Sequence, residues 1–342
     1  MPELPEVQTI VDDLNKKIIG RKIIGIWFDA PKLIKKPKPL ELEKQIKGLE
    51  IINIKRRGKN ILIYLINHKS KIPNHKLLLI HQKLTGHLLY GKWRARCANL
   101  KITFQLLSQL KCNKKQKVES LIKGALEEKV NNYIHLIFYL DNGWQLGLSD
   151  LRKFAKVIFG KKEEIENLPD LANLGPEPLD NNFKIEKFIK LIKPKKQRIK
   201  QVLLDQEVIV GIGNIYADEI LWEAKVYPFK SANKLNNSEL KKIFLAMKKI
   251  LKKAVQLRGT SISDYRDTSG QEGGYQKIRK VYQREGEPCG RCGNLIKRVK
   301  LFGRSTHFCP ACQPVRQRVR SPAKSGGRLK PQALAGKPKC QK

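Results

Sequence analysis

Leu203-Leu204-Asp205-Gln206-Glu207-Val208-Ile209-Val210-Gly211-Ile212-Gly213-Asn214-Ile215-Tyr216 sets a glycine-rich turn between two apolar helical stretches. Glycines let backbone approach a phosphate closely, and the N-terminus of the following helix aims N–H groups and positive partial charge at it. Asn214 adds a side-chain amide donor. Alone, the pattern reads more readily as a tight corner between helices than as a ligand site, so its context decides. Ile185, Phe188, Ile189 and Ile192, then Ile199, Val202 and Leu203, then Ile215 to Trp222 and Leu240 to Leu257 all follow helical spacing. A helical domain over residues 166–258 is predicted.

Downstream, Cys289-x2-Cys292 is followed after 16 residues by Cys309-x2-Cys312, a spacing that brings two tight knuckles around one tetrahedral Zn²⁺. Between them, Ile296 to Phe302 and Ser305 to Phe308 flank Gly303-Arg304, which reads as a hairpin with a cationic tip. Cys97, Cys112 and Cys340 are left over, and an odd count of 7 with one tight group of four suits a metal site rather than a disulfide framework. The preceding stretch, Arg258 to Gly274, is rich in Gly, Ser, Thr, Asp and Arg and reads as a mobile functional loop.

Upstream, Val7, Ile10, Val11, Leu14 and Ile18 mark an amphipathic first helix, with Pro5 near its first turn and Gly20 beyond its end. Short runs rich in Ile, Leu, Tyr and Phe then continue to about Phe159, predicting a mostly antiparallel β domain, sandwich or barrel. Residues 99–132 lack that alternation and read as an insertion; residues 314–342 read as a disordered basic tail, since Gln313 to Lys342 holds 9 Lys or Arg and no acid.

Lys and Arg number 70 against 31 Asp and Glu, a formal charge of +39 that calls for a polyanion. Nothing approaches the roughly 18 apolar residues of a spanning helix, and the first residues lack a secretory h-region. Nucleic acid is therefore favoured over a membrane, and the protein is expected in the cytosol. Against that background Met1-Pro2-Glu3-Leu4-Pro5-Glu6 gains chemical meaning. Loss of Met1 leaves a secondary α-amine, which titrates near 8 and is partly neutral at physiological pH. Such an amine attacking a sugar C1′ displaces the base, and the iminium formed cannot lose its charge by losing a second N–H. Glu3 and Glu6 are placed to move protons.

Pro2-Glu3-Leu4-Pro5-Glu6, the block from Leu203 to Asp218-Glu219, and Gly303-Arg304-Ser305-Thr306 ahead of Cys309-Pro310 together resemble formamidopyrimidine-DNA glycosylases, over roughly residues 2–313. The resemblance implies an α+β fold: an N-terminal helix with a β-sandwich catalytic domain (residues 2–165), a helix–two-turn–helix domain (166–258), and a lesion-capping loop with a zinc finger (259–313). It implies duplex DNA containing oxidised bases or abasic sites as substrate, one structural Zn²⁺ on Cys289, Cys292, Cys309 and Cys312, and a monomer. By the same likeness Pro2 is the Schiff-base nucleophile and Glu3 the proton donor, while Lys59 and Arg304 grip phosphate and assist elimination. Arg152, Phe154 and Leu84 match the wedge that fills the space of the extruded base, with Leu84 where the family usually has Met. Glu6, His87, Lys200, Asn214 and Tyr265 complete the expected DNA-contacting set. Leu4 stands where endonuclease VIII-like relatives, which prefer oxidised pyrimidines, usually have Gly. A zinc protein that binds DNA without catalysis, or a basic RNA-associated protein, accounts for the charge but not for the Pro2-Glu3 pair.

Overall fold

The computed structural model describes residues 2–68, 75–95, 118–262 and 264–315. Helix α1 (Leu4–Lys17) begins where Pro5 fits the first turn and where the Glu6 carboxylate reaches back to accept from the Glu3 amide. It buries Val7, Ile10, Val11 and Leu14 and gives way to a left-handed Gly20.

Strands β1 (Ile23–Phe28), β2 (Ile34–Lys36), β3 (Glu50–Arg57), β4 (Asn60–Ile66), β5 (Lys76–His81) and β6 (Gly86–Gly91) follow, with helix α2 (Pro39–Ile46) between β2 and β3. Next come β7 (Trp93–Ala95), β8 (Val118–Ser120), β9 (Ile134–Leu140), β10 (Gln145–Asp150) and β11 (Lys156–Lys161). They build a four-stranded sheet ordered β1-β9-β10-β6 and a five-stranded sheet ordered β2-β11-β5-β4-β3, in which only the β2/β11 pairing is parallel. Phe138, Leu146 and Leu88 from one sheet and Ile63, Ile80 and Val157 from the other share one core with the apolar face of α1. Two sheets closed over a common core, with a helix at their edge, is the sandwich solution to burying an apolar face on each sheet.

The stretch 99–132, expected as an insertion, is described only from residue 118 on. Residues 96–117 lie outside the described residues, whereas 118–132 are a packed part of the domain. Strand β8 pairs with β7, and Val118 and Leu126 join Trp27, Trp93, Ile134 and Ile137 to cover the outer face of the four-stranded sheet. Alternation is missing there because these residues form turns and 3₁₀ segments rather than long strands.

After α3 (Lys162–Glu166) and α4 (Pro169–Ala172), helices α5 (Ile185–Ile192), α6 (Ile199–Leu204), α7 (Asn214–Glu223) and α8 (Asn237–Gln256) enclose a second core. Leu4 belongs to this second core, so the first turn of α1 bridges the two. The hairpin β12 (Lys297–Leu301) and β13 (Arg304–Phe308) is the last pair of strands among the described residues. The basic tail, from residue 316 on, lies outside the described residues.

Candidate active site and its cationic surroundings

Chain entry into α1 is locked to the glycine turn that precedes α7. The Leu4 amide donates to the Gly211 carbonyl at 2.9 Å. The buried Glu3 carboxylate accepts from the amides of Gly213 at 2.7 Å, Ile215 at 3.0 Å and Tyr216 at 3.4 Å, and so caps a helix more than 200 residues away in sequence. A carboxylate at a helix N-terminus is favoured by both the free N–H groups and the helix dipole. Glycine is required at 213, since a Cβ there would sit 2.3 Å from the Glu3 carboxyl carbon.

Glu6 accepts from the Glu3 amide at 2.8 Å, from the Tyr216 hydroxyl at 2.6 Å and from the Thr260 amide at 2.7 Å. Burial, reinforced by the Glu3 carboxylate beside it, pushes the Glu6 pKa up to about 7. Burial also raises Glu3, against the pull of the Lys59 ammonium. Lys59 is itself buried and lowered by desolvation, with Glu3 opposing, and it donates to the Ile212 carbonyl at 3.0 Å. Pro2 is thus buried beside a carboxylate and an ammonium whose proton affinities have been drawn toward each other, a pattern suited to proton exchange.

Asn214 opens α7 and Arg304 opens β13; the Asn214 amide donates to the Ser305 carbonyl at 3.0 Å, tying turn to hairpin. The charge of exposed Arg304 is felt at both Lys59 and Lys200. Glu3, Glu6, Lys59, Asn214 and Arg304 are thereby brought together around the first residues of the chain.

Three expected contacts are placed otherwise. Lys200 is buried, ion-paired to Asp218 at 2.6 Å and donating to the Ser305 carbonyl and the Thr306 hydroxyl, so it braces the hairpin instead of presenting an ammonium to DNA. His87 is buried against Asn131 at 3.0 Å, and burial lowers its pKa to about 4, which leaves no cation at the surface. Tyr265 packs in the sandwich core with its hydroxyl toward the Glu6 carbonyl. The loop around it is docked as well: Arg258 pairs with Asp13 and Asp267 at 2.6 and 2.7 Å, and Thr268 donates to Asp13. Charge and small residues suggest mobility, but Arg258 and Thr268 find Asp13 on α1, Arg258 also finds Asp267 within the loop, and Arg266 finds Glu128 and Glu272.

Leu84, Arg152 and Phe154 are exposed together, with the Arg152 guanidinium 4.6 Å from the Phe154 ring centre. Buried Asp150 holds them out: its carboxylate accepts from the Thr85 hydroxyl at 2.5 Å, the Phe154 and Ala155 amides at 2.7 Å and the Arg152 amide at 3.3 Å. Asp150→Ala should cost about 2 kcal/mol or more by orphaning those donors, read as a lowered denaturant midpoint. Asp150→Asn should cost less, since the Thr85 hydroxyl can turn to accept; equal stability of both variants and the parent would refute the role.

Asp218 and Glu219, which end the block that begins at Leu203, are given no role of their own by the sequence. Asp218 also accepts from the His307 amide at 2.9 Å, and Glu219 accepts the amides of Lys280, Val281 and Tyr282, so the two acids dock the finger on α7. The Sγ atoms of Cys289, Cys292, Cys309 and Cys312 lie within 4.8 Å of one another. Thiolates around Zn²⁺ at about 2.3 Å stand roughly 3.8 Å apart, so the four fit that ion.

The description "Formamidopyrimidine-DNA glycosylase N-terminal domain" matches residues 1–157, "Formamidopyrimidine-DNA glycosylase H2TH domain" matches 174–266, and "Zinc finger found in FPG and IleRS" matches 286–315. A formamidopyrimidine-DNA glycosylase of Pelotomaculum thermopropionicum is 35% identical over 316 residues, covering 92% of this chain and 100% of the relative. Among solved structures, a Lactococcus lactis FPG variant in complex with Fapy-dG-containing DNA superposes with a TM-score of 0.73 at 30% identity, covering 92% of this chain and 100% of the other. The Lactococcus lactis protein in complex with abasic-site DNA gives 0.72 at 30% identity over 91% and 99%.

Proposed function

The chain belongs to the formamidopyrimidine-DNA glycosylase family, and from that membership we propose that it excises oxidised purines from duplex DNA and then cleaves the strand at the abasic site. The observation that carries this reading is the capture of the Glu3 carboxylate by three amides of the 213–216 turn, which fixes the first residues of the chain beside Lys59.

With Met1 removed, the Pro2 nitrogen attacks C1′ of the flipped nucleotide. The C1′–N glycosidic bond breaks, the base leaves with a proton delivered through Glu3, and ring opening gives an iminium between Pro2 and C1′. Its charge acidifies the C2′ proton; loss of that proton expels the 3′ phosphate, and a second elimination expels the 5′ phosphate. Lys59 and Arg304 hold the phosphates and can return protons to the leaving oxygens. Arg152, Phe154 and Leu84 fill the vacated stack, where base extrusion costs a few kcal/mol. Partners follow from the chemistry: lesion-bearing or abasic duplex DNA. No described helix is long and apolar enough to cross a membrane.

Borohydride trapping on duplexes carrying 8-oxoguanine, a formamidopyrimidine or an oxidised pyrimidine tests nucleophile and substrate together. Trapping confined to the pyrimidine would instead assign the endonuclease VIII-like activity, and no trapping on any lesion or abasic site would leave a DNA-binding zinc protein.

Cys289, Cys292, Cys309 and Cys312 would hold the Zn²⁺, which when bound supplies folding energy to the finger rather than bond-making. Cys309→Ser should therefore release Arg304 from its place and lower DNA affinity at least tenfold on the rough scale of losing one charge-assisted phosphate contact. Elemental analysis showing no zinc in folded, active protein would overturn this.

A further inference from the structure

The tip of the finger hairpin carries a residue that neither folding nor turn geometry explains. Leu301 pairs with Arg304, so the turn between them is Phe302-Gly303, with φ of 47° and 74°. Two left-handed residues make the hairpin turn that favours Asn-Gly, and a bulky aromatic at positive φ is an outlier there. Phe302 is also 75% exposed, the most exposed large hydrophobic of the described residues. The chain thus bears backbone strain to hold an aromatic ring in solvent.

That ring borders an open groove of about 870 Å³ between the hairpin and the helical domain. Lys195, Lys196, Arg198 and Lys234 line it, and no Asp or Glu does. The shape is too open to enclose a small molecule, and the absence of acid suits a polyanion that runs along it. The hairpin that carries Phe302 is tied to the reactive centre: Arg304 lies two residues from Phe302, and the next residue, Ser305, accepts through its carbonyl from the amide of Asn214, which follows the Gly213 amide that holds Glu3.

We infer that this groove is an accessory site for the phosphate backbone of the DNA flanking the lesion, with Phe302 packed against a sugar or base face of that flank. The inference rests on the reading of the chain as a DNA-processing enzyme, and it extends the footprint beyond the damaged nucleotide. Cations lining such a groove neutralise phosphates, each steepening the salt dependence of binding by roughly 0.9 log units per log unit of salt. Aromatic faces add contact energy that tolerates any base sequence.

The test is equilibrium binding of the full-length protein to duplexes bearing a tetrahydrofuran abasic analogue, lengthened stepwise on either side of it, between about 50 and 200 mM salt. Lengthening one side should tighten binding. In Lys195→Ala/Lys196→Ala that gain should shrink and the salt slope should become shallower by roughly 1.8. Phe302→Asn should weaken binding to the longer duplexes by roughly tenfold with an unchanged slope, and Phe302→Trp should bind like the parent. Asn suits the turn, so the Phe302→Asn melting temperature should not fall; a fall in parallel with affinity would assign Phe302 a structural role and overturn the inference. So would wild-type affinity and slope on every duplex for both changes. Borohydride trapping of the parent chain is scored separately: its failure with the groove effect intact removes the Pro2 chemistry and leaves the groove standing.

Discussion

Pro2→Gly is expected to lower single-turnover excision on the order of 10³-fold, the scale on which a deleted nucleophile is felt, while DNA affinity stays near that of the parent. The variant still ends in an α-amine once Met1 is removed, so the comparison is between a secondary and a primary amine in one place. A glycine adduct can lose its remaining N–H proton and become a neutral imine; the proline adduct cannot, and stays a cationic electron sink for both eliminations. Glycine also removes the ring that aims the nitrogen, and mispositioning by about 1 Å alone can cost 10²-fold. Glu3 should still reach the 213–216 amides in this variant, because those bonds come from its own side chain. Parallel measurement of excision rate, trapping yield and affinity decides the matter. Excision and trapping at the parental rate would show that the secondary amine is dispensable, and parental trapping by a chain that keeps Met1 would move the nucleophile elsewhere, with Lys59, lowered by burial and close by, as the next amine to replace.

What the sequence made legible was local or carried by the likeness. The apolar spacing of Val7, Ile10, Val11 and Leu14 describes the observed buried face of α1, and the cysteine spacing describes a cluster that closes within 4.8 Å. The sandwich followed from short apolar runs, although one parallel pairing, β2 with β11, carried no local mark. Long-range electrostatics were not legible. Lys200 reads as a surface cation until Asp218 is found 2.6 Å away, and Asp13 reads as a solvated helix acid until Arg258 and Thr268 arrive from the far end of the chain. The stretch Arg258 to Gly274 reads as unanchored because its anchors on α1, Glu6 and Asp13, are distant in sequence, and His87 is expected as a DNA contact by likeness because its burial depends on residues 125–131 folding over it. A buried charge is recognisable only with its partner, and partners here are separated by up to 255 residues.

Such distant coupling makes Gly213 a sensitive position for the site. Gly213→Ala places a methyl 2.3 Å from the Glu3 carboxyl carbon and 2.4 Å from one of its oxygens. The neighbour cannot yield cheaply, because Glu3 is held by the amides of 213, 215 and 216 and its own backbone is fixed by Glu6 and by the Leu4–Gly211 bond. Either the carboxylate leaves the α7 N-terminus, orphaning buried amides at about 1–3 kcal/mol, or the whole entry to α1 shifts and carries Pro2 with it. The expected result is a loss of stability of about 1–3 kcal/mol together with at least a roughly 100-fold fall in trapping rate at saturating enzyme. Glu3→Gln separates the two effects: it removes the proton donor but keeps one oxygen for the amides, so it should cost rate with less loss of stability than Gly213→Ala. Stability and trapping both near the parental values in Gly213→Ala would show that the turn accommodates a side chain, and that the Glu3 cap does not position Pro2.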